Sequence, residues 1–199
     1  MSNQDLPKAF SALSNGEIIV YPTDTLYGLG ADIFNIKAVN KVFEIKKRSL
    51  DQPLSVAVSC IEDLEKIVIL DENINKIIDA FLPGELTIVL KRRNIVPDIV
   101  TSGLDNVAIR IPDNKIALEI LSNFGPLTCT SANIHGQKTP SVISDIRMQF
   151  KPEDISVFID DGKLEGKPST IIDLTCESPK ILRMGKISEK QILDAIKNG

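Results

Sequence analysis

The sequence predicts an α/β fold, an open sheet flanked by helices, built as a single domain over residues 1–199. Three observations carry that expectation. Short apolar runs of strand length recur along the chain, and stretches with helical spacing lie between them. No internal repeat, low-complexity tract or Gly/Ser-rich linker divides the chain. At 199 residues and 43% hydrophobic composition it can bury one sizeable core.

Strands are expected at residues 18–21, 54–58, 86–90, 107–111, 127–130, 157–160, 170–174 and 181–183, where β-branched and apolar residues cluster between turn residues. Helices fall between them. Ile36, Val39, Val42 and Phe43 share one helical face, as do Ile74, Ile77, Ile78 and Phe81; Ile116, Leu118, Ile120 and Leu121 suggest a third helix. A last helix carries Ile192, Leu193 and Ala195 behind Ser188, with Glu189 in its first turn. Residues 134–144 form a loop containing Gly136 and Pro140 with few apolar anchors, expected to close over a bound ligand.

The formal net charge of -4 and a pI near 5.1 argue against a chain that attracts nucleic acid or anionic membrane as a whole. Cys60, Cys129 and Cys176 never approach a C-x-x-C spacing, which argues against a disulfide framework or a zinc site and predicts buried thiols. No apolar run is long enough to span a bilayer, and residues 1–5 lack the pattern of a secretion signal, so a cytoplasmic protein with no membrane contact is expected.

Several polar stretches follow strands. "YPTDTLYGLG", residues 21–30, offers more hydroxyls than a connection needs, and Thr23 and Thr25 face one side of an extended backbone. In "IKKRSLDQPL", residues 45–54, Lys46, Lys47 and Arg48 end a helix; they either complement its dipole or hold phosphate oxygens. "TCTSANIHG", residues 128–136, places Ser131 and Asn133 where a hydroxyl and an amide can share a ligand or close a local turn. His135, the only histidine, sits beside Gly136 and is expected to be exposed rather than catalytic. "PSTIIDL", residues 168–174, and "ILRMG", residues 181–185, again bring hydroxyls and an arginine to strand ends, where open α/β sheets place ligands. No P-loop, G-x-G-x-x-G fingerprint, G-x-S-x-G elbow or His/Cys metal cluster is present, so any nucleotide must be held by arginines, lysines, hydroxyls and backbone amides.

Together with "LPGELTIVL" and "VAIRIP", these motifs occur in the order seen in YrdC/TsaC-type threonylcarbamoyl-AMP synthases, a family that the chain resembles from about Gly16 to Gly185. The resemblance implies the twisted, mixed, open YrdC-like sheet in the short single-domain form. It implies a nucleotidyltransferase that converts L-threonine, bicarbonate and ATP, with Mg2+, into threonylcarbamoyl-AMP and pyrophosphate. The product would pass to a downstream threonylcarbamoyl-transferase complex that forms N6-threonylcarbamoyladenosine at tRNA position 37. Carried over by motif, Thr25, Arg110, Ser131 and Ser169 would bind threonine. Lys46 and Arg48 would be catalytic, and Arg48, Gln52, Asn106, Asn133, Ser141 and Arg183 would bind ATP, with no protein-held metal. The chain departs from the commonest pattern at Ser49, Ala57 and His135; Ala57 removes one possible threonine contact. Two other readings stand beside this one. An RNA-binding module without synthase activity, with weak tRNA or double-stranded RNA contact, would use Lys46–Arg48 and Lys91–Arg93. A relative of the hydrogenase-maturation proteins would carry a different carbamoylating activity, normally within a longer chain.

Overall fold

The computed structural model describes residues 5–176 and 178–198, so the signal-sequence reading of residues 1–4 lies outside the described residues. In chain order, α1 (Asp5–Ser14) leads into β1 (Ile19–Tyr21) and β2 (Gly28–Gly30), then α2 (Ile36–Lys46), β3 (Ser55–Ala57), α3 (Ile61–Ile67) and α4 (Glu72–Phe81). The middle of the chain contains β4 (Leu86–Lys91), α5 (Asp98–Thr101), β5 (Asn106–Arg110), α6 (Lys115–Phe124), β6 (Leu127–Thr128) and β7 (Thr130–Ser131). The last elements are α7 (Ile143–Gln149), β8 (Val157–Phe158), β9 (Thr170–Asp173), β10 (Lys180–Arg183) and α8 (Glu189–Asn198).

The expected α/β class holds, but the strands are divided between two open sheets. One has the order β7-β2-β1-β8 and the other β10-β9-β4-β5-β3-β6. Both are mixed: β1 runs antiparallel to β2 and parallel to β8, while β5 runs parallel to β3 and antiparallel to β4. The apolar run at 127–130, expected as one strand, joins them. Leu127 and Thr128 pair with β3, the Cys129 N–H donates to the Ser55 carbonyl, and Thr130 and Ser131 then cross to pair with β2.

β2 went unrecognised because Gly-Leu-Gly has low strand propensity. Its glycines answer to a neighbour. The buried Tyr21 ring lies over them, and a Cβ at Gly30 would meet Tyr21 Cε1 at 2.9 Å. The Tyr21 hydroxyl is satisfied by donating to the Thr128 carbonyl at 3.1 Å. α1 was missed for a related reason: its buried face is only Ala9, Ala12 and Leu13, too small an apolar stripe to stand out. That face packs with Tyr21, Ile116, Ile120 and Leu121 in a core separate from the larger one containing Val39, Val42, Ile77, Ile88 and Ile109. Each large apolar side chain buried in this way contributes about 1.5–3 kcal/mol.

Helix ends follow the sequence signals. Asn35, Asp71 and Asn114 accept backbone N–H groups at the starts of α2, α4 and α6. Ser188 and Gln191 exchange hydrogen bonds at the start of α8, a capping box. α2 ends with Lys47 in the left-handed conformation, φ 52°, which reverses the chain so that Arg48 turns back toward the sheets.

Candidate active site

A cavity of about 290 Å³ opens between the two sheets. Thr87 and Val89 of β4, Ala108 and Arg110 of β5, and Ser55 of β3 line it from the six-stranded sheet. These residues alternate along their strands, so every second side chain reaches the cavity. From the other side come Thr23, Thr25, Leu26, Tyr27 and Gly28, then Cys129, Thr130 and Ser131 where the chain crosses between sheets. Arg48, Pro168, Ser169, Leu182 and Arg183 also contribute to the wall.

The opening motif has two functions. Thr23 closes a local turn: its hydroxyl donates to the Leu26 carbonyl at 2.6 Å and accepts from the Thr25 and Leu26 N–H groups at 3.2 Å. Thr25 and Asp24 instead hold Arg110. Arg110 Nη1 donates to Thr25 Oγ1 at 3.1 Å, and Nη2 donates to Asp24 Oδ1 at 2.6 Å and to the Gly84 carbonyl at 3.1 Å. The ion pair is almost wholly buried, with side chains 5% and 10% exposed. Burial raises the Asp24 carboxyl above its usual range against the opposing pull of Arg110. Asp24 Oδ2 and Arg110 Nε remain buried without protein partners, so the guanidinium has donor capacity left beside the cavity.

Ser169, 3% exposed, shares a hydrogen bond of 2.7 Å with Thr87 Oγ1, and its carbonyl accepts from Arg183 Nε and Nη2 at 3.0 and 2.9 Å. Burial, and secondarily the nearby Arg110, push the Arg183 guanidinium below the usual arginine value. Two cations held close in a partly buried cavity create a field suited to an anion.

Arg48 also lines the cavity, and its guanidinium is engaged by the backbone. Its Nε donates to the Gln52 carbonyl at 3.1 Å and Nη2 to the Pro53 carbonyl at 2.8 Å, which pins the turn behind α2. Arg48→Ala should cost about 1–2 kcal/mol of stability, from the two charge-assisted bonds, as read by denaturant unfolding. An unchanged unfolding midpoint would show that the turn holds without Arg48.

Lys46 does not line the cavity. It is 1% exposed and lies beneath it, with Nζ donating to the carbonyls of Ser131 at 2.5 Å and Asn133 at 2.8 Å. Burial, and secondarily the neighbouring Arg48, lower its pKa to about 7. Asn133 is likewise turned inward: Oδ1 accepts from Ser131 Oγ at 2.5 Å, and Nδ2 donates to the carbonyls of Ile134 and Gln137. The spacing left open whether these residues share a ligand or close a turn. Here they close a turn, and only Ser131 also reaches the cavity.

The remaining expected residues lie around this centre. Gln52 contributes its carbonyl to Arg48. Asn106 lies on the same alternating side of β5 as Ala108 and Arg110, beyond the lining residues. Ser141 accepts at its carbonyl from the Leu164 N–H, and Thr139 from the same loop reaches the cavity wall. Ala57 is buried in the smaller core, and Ser55 supplies the polar group that β3 presents to the cavity. Sequence reasoning passed over Asp24, Ser55, Thr87 and Cys129; a hydroxyl at Thr87 inside an otherwise apolar strand was the available signal.

The loop after Ser131 has polar anchors where apolar ones were sought. The Gln149 side chain accepts from the Ile134 N–H and donates to the Lys138 carbonyl, and the His135 N–H donates to the Lys46 carbonyl. The loop also ends sooner than expected, because Ile143 and Ser144 already belong to α7. Cys60 and Cys129 are only half-buried and Cys176 is exposed, which corrects the expectation that all three thiols are buried.

Of the basic residues of the RNA-binding reading, Lys46, Arg48, Arg92 and Arg93 are engaged within the fold, while Lys47 and Lys91 are exposed. Arg92 donates to the carbonyls of Leu104 and Val96 and to Asp98, Arg93 donates to the carbonyls of Glu65 and Val68, and Lys46 is buried. Among the described residues no group of three or more His, Cys, Asp or Glu could hold a metal ion, and no helix is long and apolar enough to cross a membrane.

Residues 11–185 match the family model Sua5_yciO_yrdC, whose description reads "Telomere recombination". The chain is 36% identical over 183 residues to the threonylcarbamoyl-AMP synthase of Pyrococcus abyssi, covering 90% of this chain and 54% of that protein. It is 33% identical over 195 residues to the threonylcarbamoyl-AMP synthase of Bacillus subtilis, covering 96% of this chain and 56% of that protein. The chain thus spans just over half the length of these two relatives. Among solved structures, P. abyssi Sua5 complexed with L-threonine superposes with a TM-score of 0.91 at 35% identity, covering 96% of this chain and 57% of that one. E. coli YciO superposes with a TM-score of 0.87 at 26% identity, covering 94% and 92%.

Proposed function

The chain belongs to the Sua5/YciO/YrdC family, and on that premise we propose that it is an L-threonylcarbamoyladenylate synthase. It makes threonylcarbamoyl-AMP and pyrophosphate from L-threonine, bicarbonate and ATP, as a cytoplasmic nucleotidyltransferase that supplies the modification of tRNA position 37. One observation carries the reading. Thr25, Arg48, Arg110, Ser131, Ser169 and Arg183, from separate stretches of the chain, line one cavity between the sheets.

The threonine amine and bicarbonate condense to a carbamate: the C–OH bond of bicarbonate breaks, the N–C bond forms, and the released hydroxide leaves as water with a proton from the amine. A carbamate oxygen then attacks the α-phosphorus of ATP, and pyrophosphate leaves with the P–O electron pair. Such a transfer depends mainly on positioning and charge neutralisation, so a site without a general base suits it. Arg110, with spare donor capacity, receives the threonine carboxylate. Arg48 and Arg183 face the phosphates, and Lys46 acts from below by fixing the Ser131–Asn133 turn. The lining offers arginines and hydroxyls rather than a carboxylate set, so Mg2+ comes with the triphosphate as its counter-ion.

Incubation with ATP, labelled bicarbonate and each amino acid in turn tests the reading. A carbamoyladenylate formed with threonine alone is the expected result, and no product with any amino acid would overturn it. His135 is exposed, with its backbone N–H bonded to the Lys46 carbonyl. His135→Ser should therefore keep most of the activity; a fall beyond about a hundredfold would assign proton transfer to the imidazole.

A further inference from the structure

Thr87 has no part in the roles assigned above, yet it is 2% exposed and lines the cavity beside Ser169. We propose that Thr87 is a positioning residue: it donates to Ser169 Oγ and so commits the Ser169 proton to an acceptor oxygen of the bound amino acid. The inference rests on the synthase reading.

A serine hydroxyl has one proton to give and two lone pairs to fill. Arg183 Nη2, an obligate donor, fills one lone pair of Ser169 Oγ at 3.2 Å. The contact of 2.7 Å with Thr87 Oγ1 can run in either direction. If Thr87 donates, both lone pairs are occupied and the Ser169 O–H is left as a donor. If Ser169 donates, its proton is spent on Thr87 and an open lone pair is left near Arg183 and Arg110. A carboxylate or carbamate needs donors, so an anionic amino-acid ligand selects the first arrangement. The Ser169 backbone cannot give way, because its carbonyl is clamped by Arg183 and a Cβ at Gly185 would come within 2.7 Å of the Ser169 carbonyl carbon. With that backbone held, the ligand selects the hydrogen-bond direction and Thr87 supplies the donor that this direction requires.

Thr87→Val keeps the β-branched shape and removes the hydroxyl; Thr87→Ser keeps the hydroxyl. Steady-state synthesis with threonine and ATP varied separately is expected to give a threonine KM raised about tenfold in Thr87→Val, with kcat and the ATP KM within about threefold of wild type and Thr87→Ser close to wild type. Thr87→Val with an unchanged threonine KM would overturn the inference and leave the synthase reading standing. So would a uniform loss in both variants with a lowered melting temperature, which would mark Thr87 as a packing residue. A wild-type chain that forms no product from any amino acid would overturn both.

Discussion

Arg110→Gln is expected to abolish threonine-dependent synthesis, with a loss of at least about a thousandfold in kcat/KM, and to destabilise the fold by about 3–5 kcal/mol. Both effects have one origin. Arg110 ties Asp24, Thr25 and the Gly84 carbonyl into a single arrangement from beneath the cavity. Glutamine is neutral and shorter, so it leaves the Asp24 carboxylate buried without its counter-charge and takes away the group that would receive a carboxylate. The double variant Asp24→Asn/Arg110→Gln separates the two effects. It should recover much of the lost stability, since no lone charge is left buried, and none of the activity. Denaturant unfolding beside product formation measures both. Restored activity in the double variant would mean that Arg110 matters only as the partner of Asp24.

Lys46→Met is expected to cost about a hundredfold in rate although Lys46 touches nothing in the cavity, because misplacing positioned groups by about 1 Å has effects of that size. The lysine ammonium gathers the Ser131 and Asn133 carbonyls, and the Ser131 hydroxyl follows its backbone into the cavity. Stability against pH gives an independent readout. Lys46 titrates near pH 7 in the folded chain against an ordinary lysine value of 10.5. Below about pH 7 it is charged in both states. Between about 7 and 10.5 the unfolded chain still binds the proton and the folded chain does not, so this residue makes stability rise with pH in that window. The slope reaches at most about 1.4 kcal/mol per pH unit. Other titrating groups cancel when wild type and Lys46→Met are compared by denaturant unfolding from pH 6 to 9, and the variant should have the flatter curve. Equal slopes would place the Lys46 proton outside that range.

Legibility in the sequence followed the range of the interactions involved. Residues 86–90, expected as a strand, lie within β4 (Leu86–Lys91), whose burial comes from an apolar run interrupted only by Thr87. The helices α2, α4 and α6 were legible too, since 3.6-residue spacing is a local signal, but Ile36, expected on the buried face of α2, is exposed, and Ala117 rather than Leu118 belongs to the buried face of α6. The motif residues Thr25, Arg110, Ser131 and Ser169 were named before their meeting was visible. Arg48 was named too, but its anchoring to Gln52 and Pro53 was not foreseen, because carbonyl partners leave no mark on residue type.

The sequence by itself determined the α/β class, the order of most elements, and which stretches carry more hydrogen-bonding groups than a turn requires. Tertiary structure alone decided that the chain changes sheets at Cys129, that Gly28–Gly30 is a strand under the Tyr21 ring, and that Lys46 points inward while Thr87 reaches the cavity. The division has a physical reason. Propensity and periodicity act within a few residues, whereas strand pairing, ring-over-glycine contact and the burial of a cation depend on groups up to about a hundred positions away, as with Tyr21 and Thr128, separated by 107 residues.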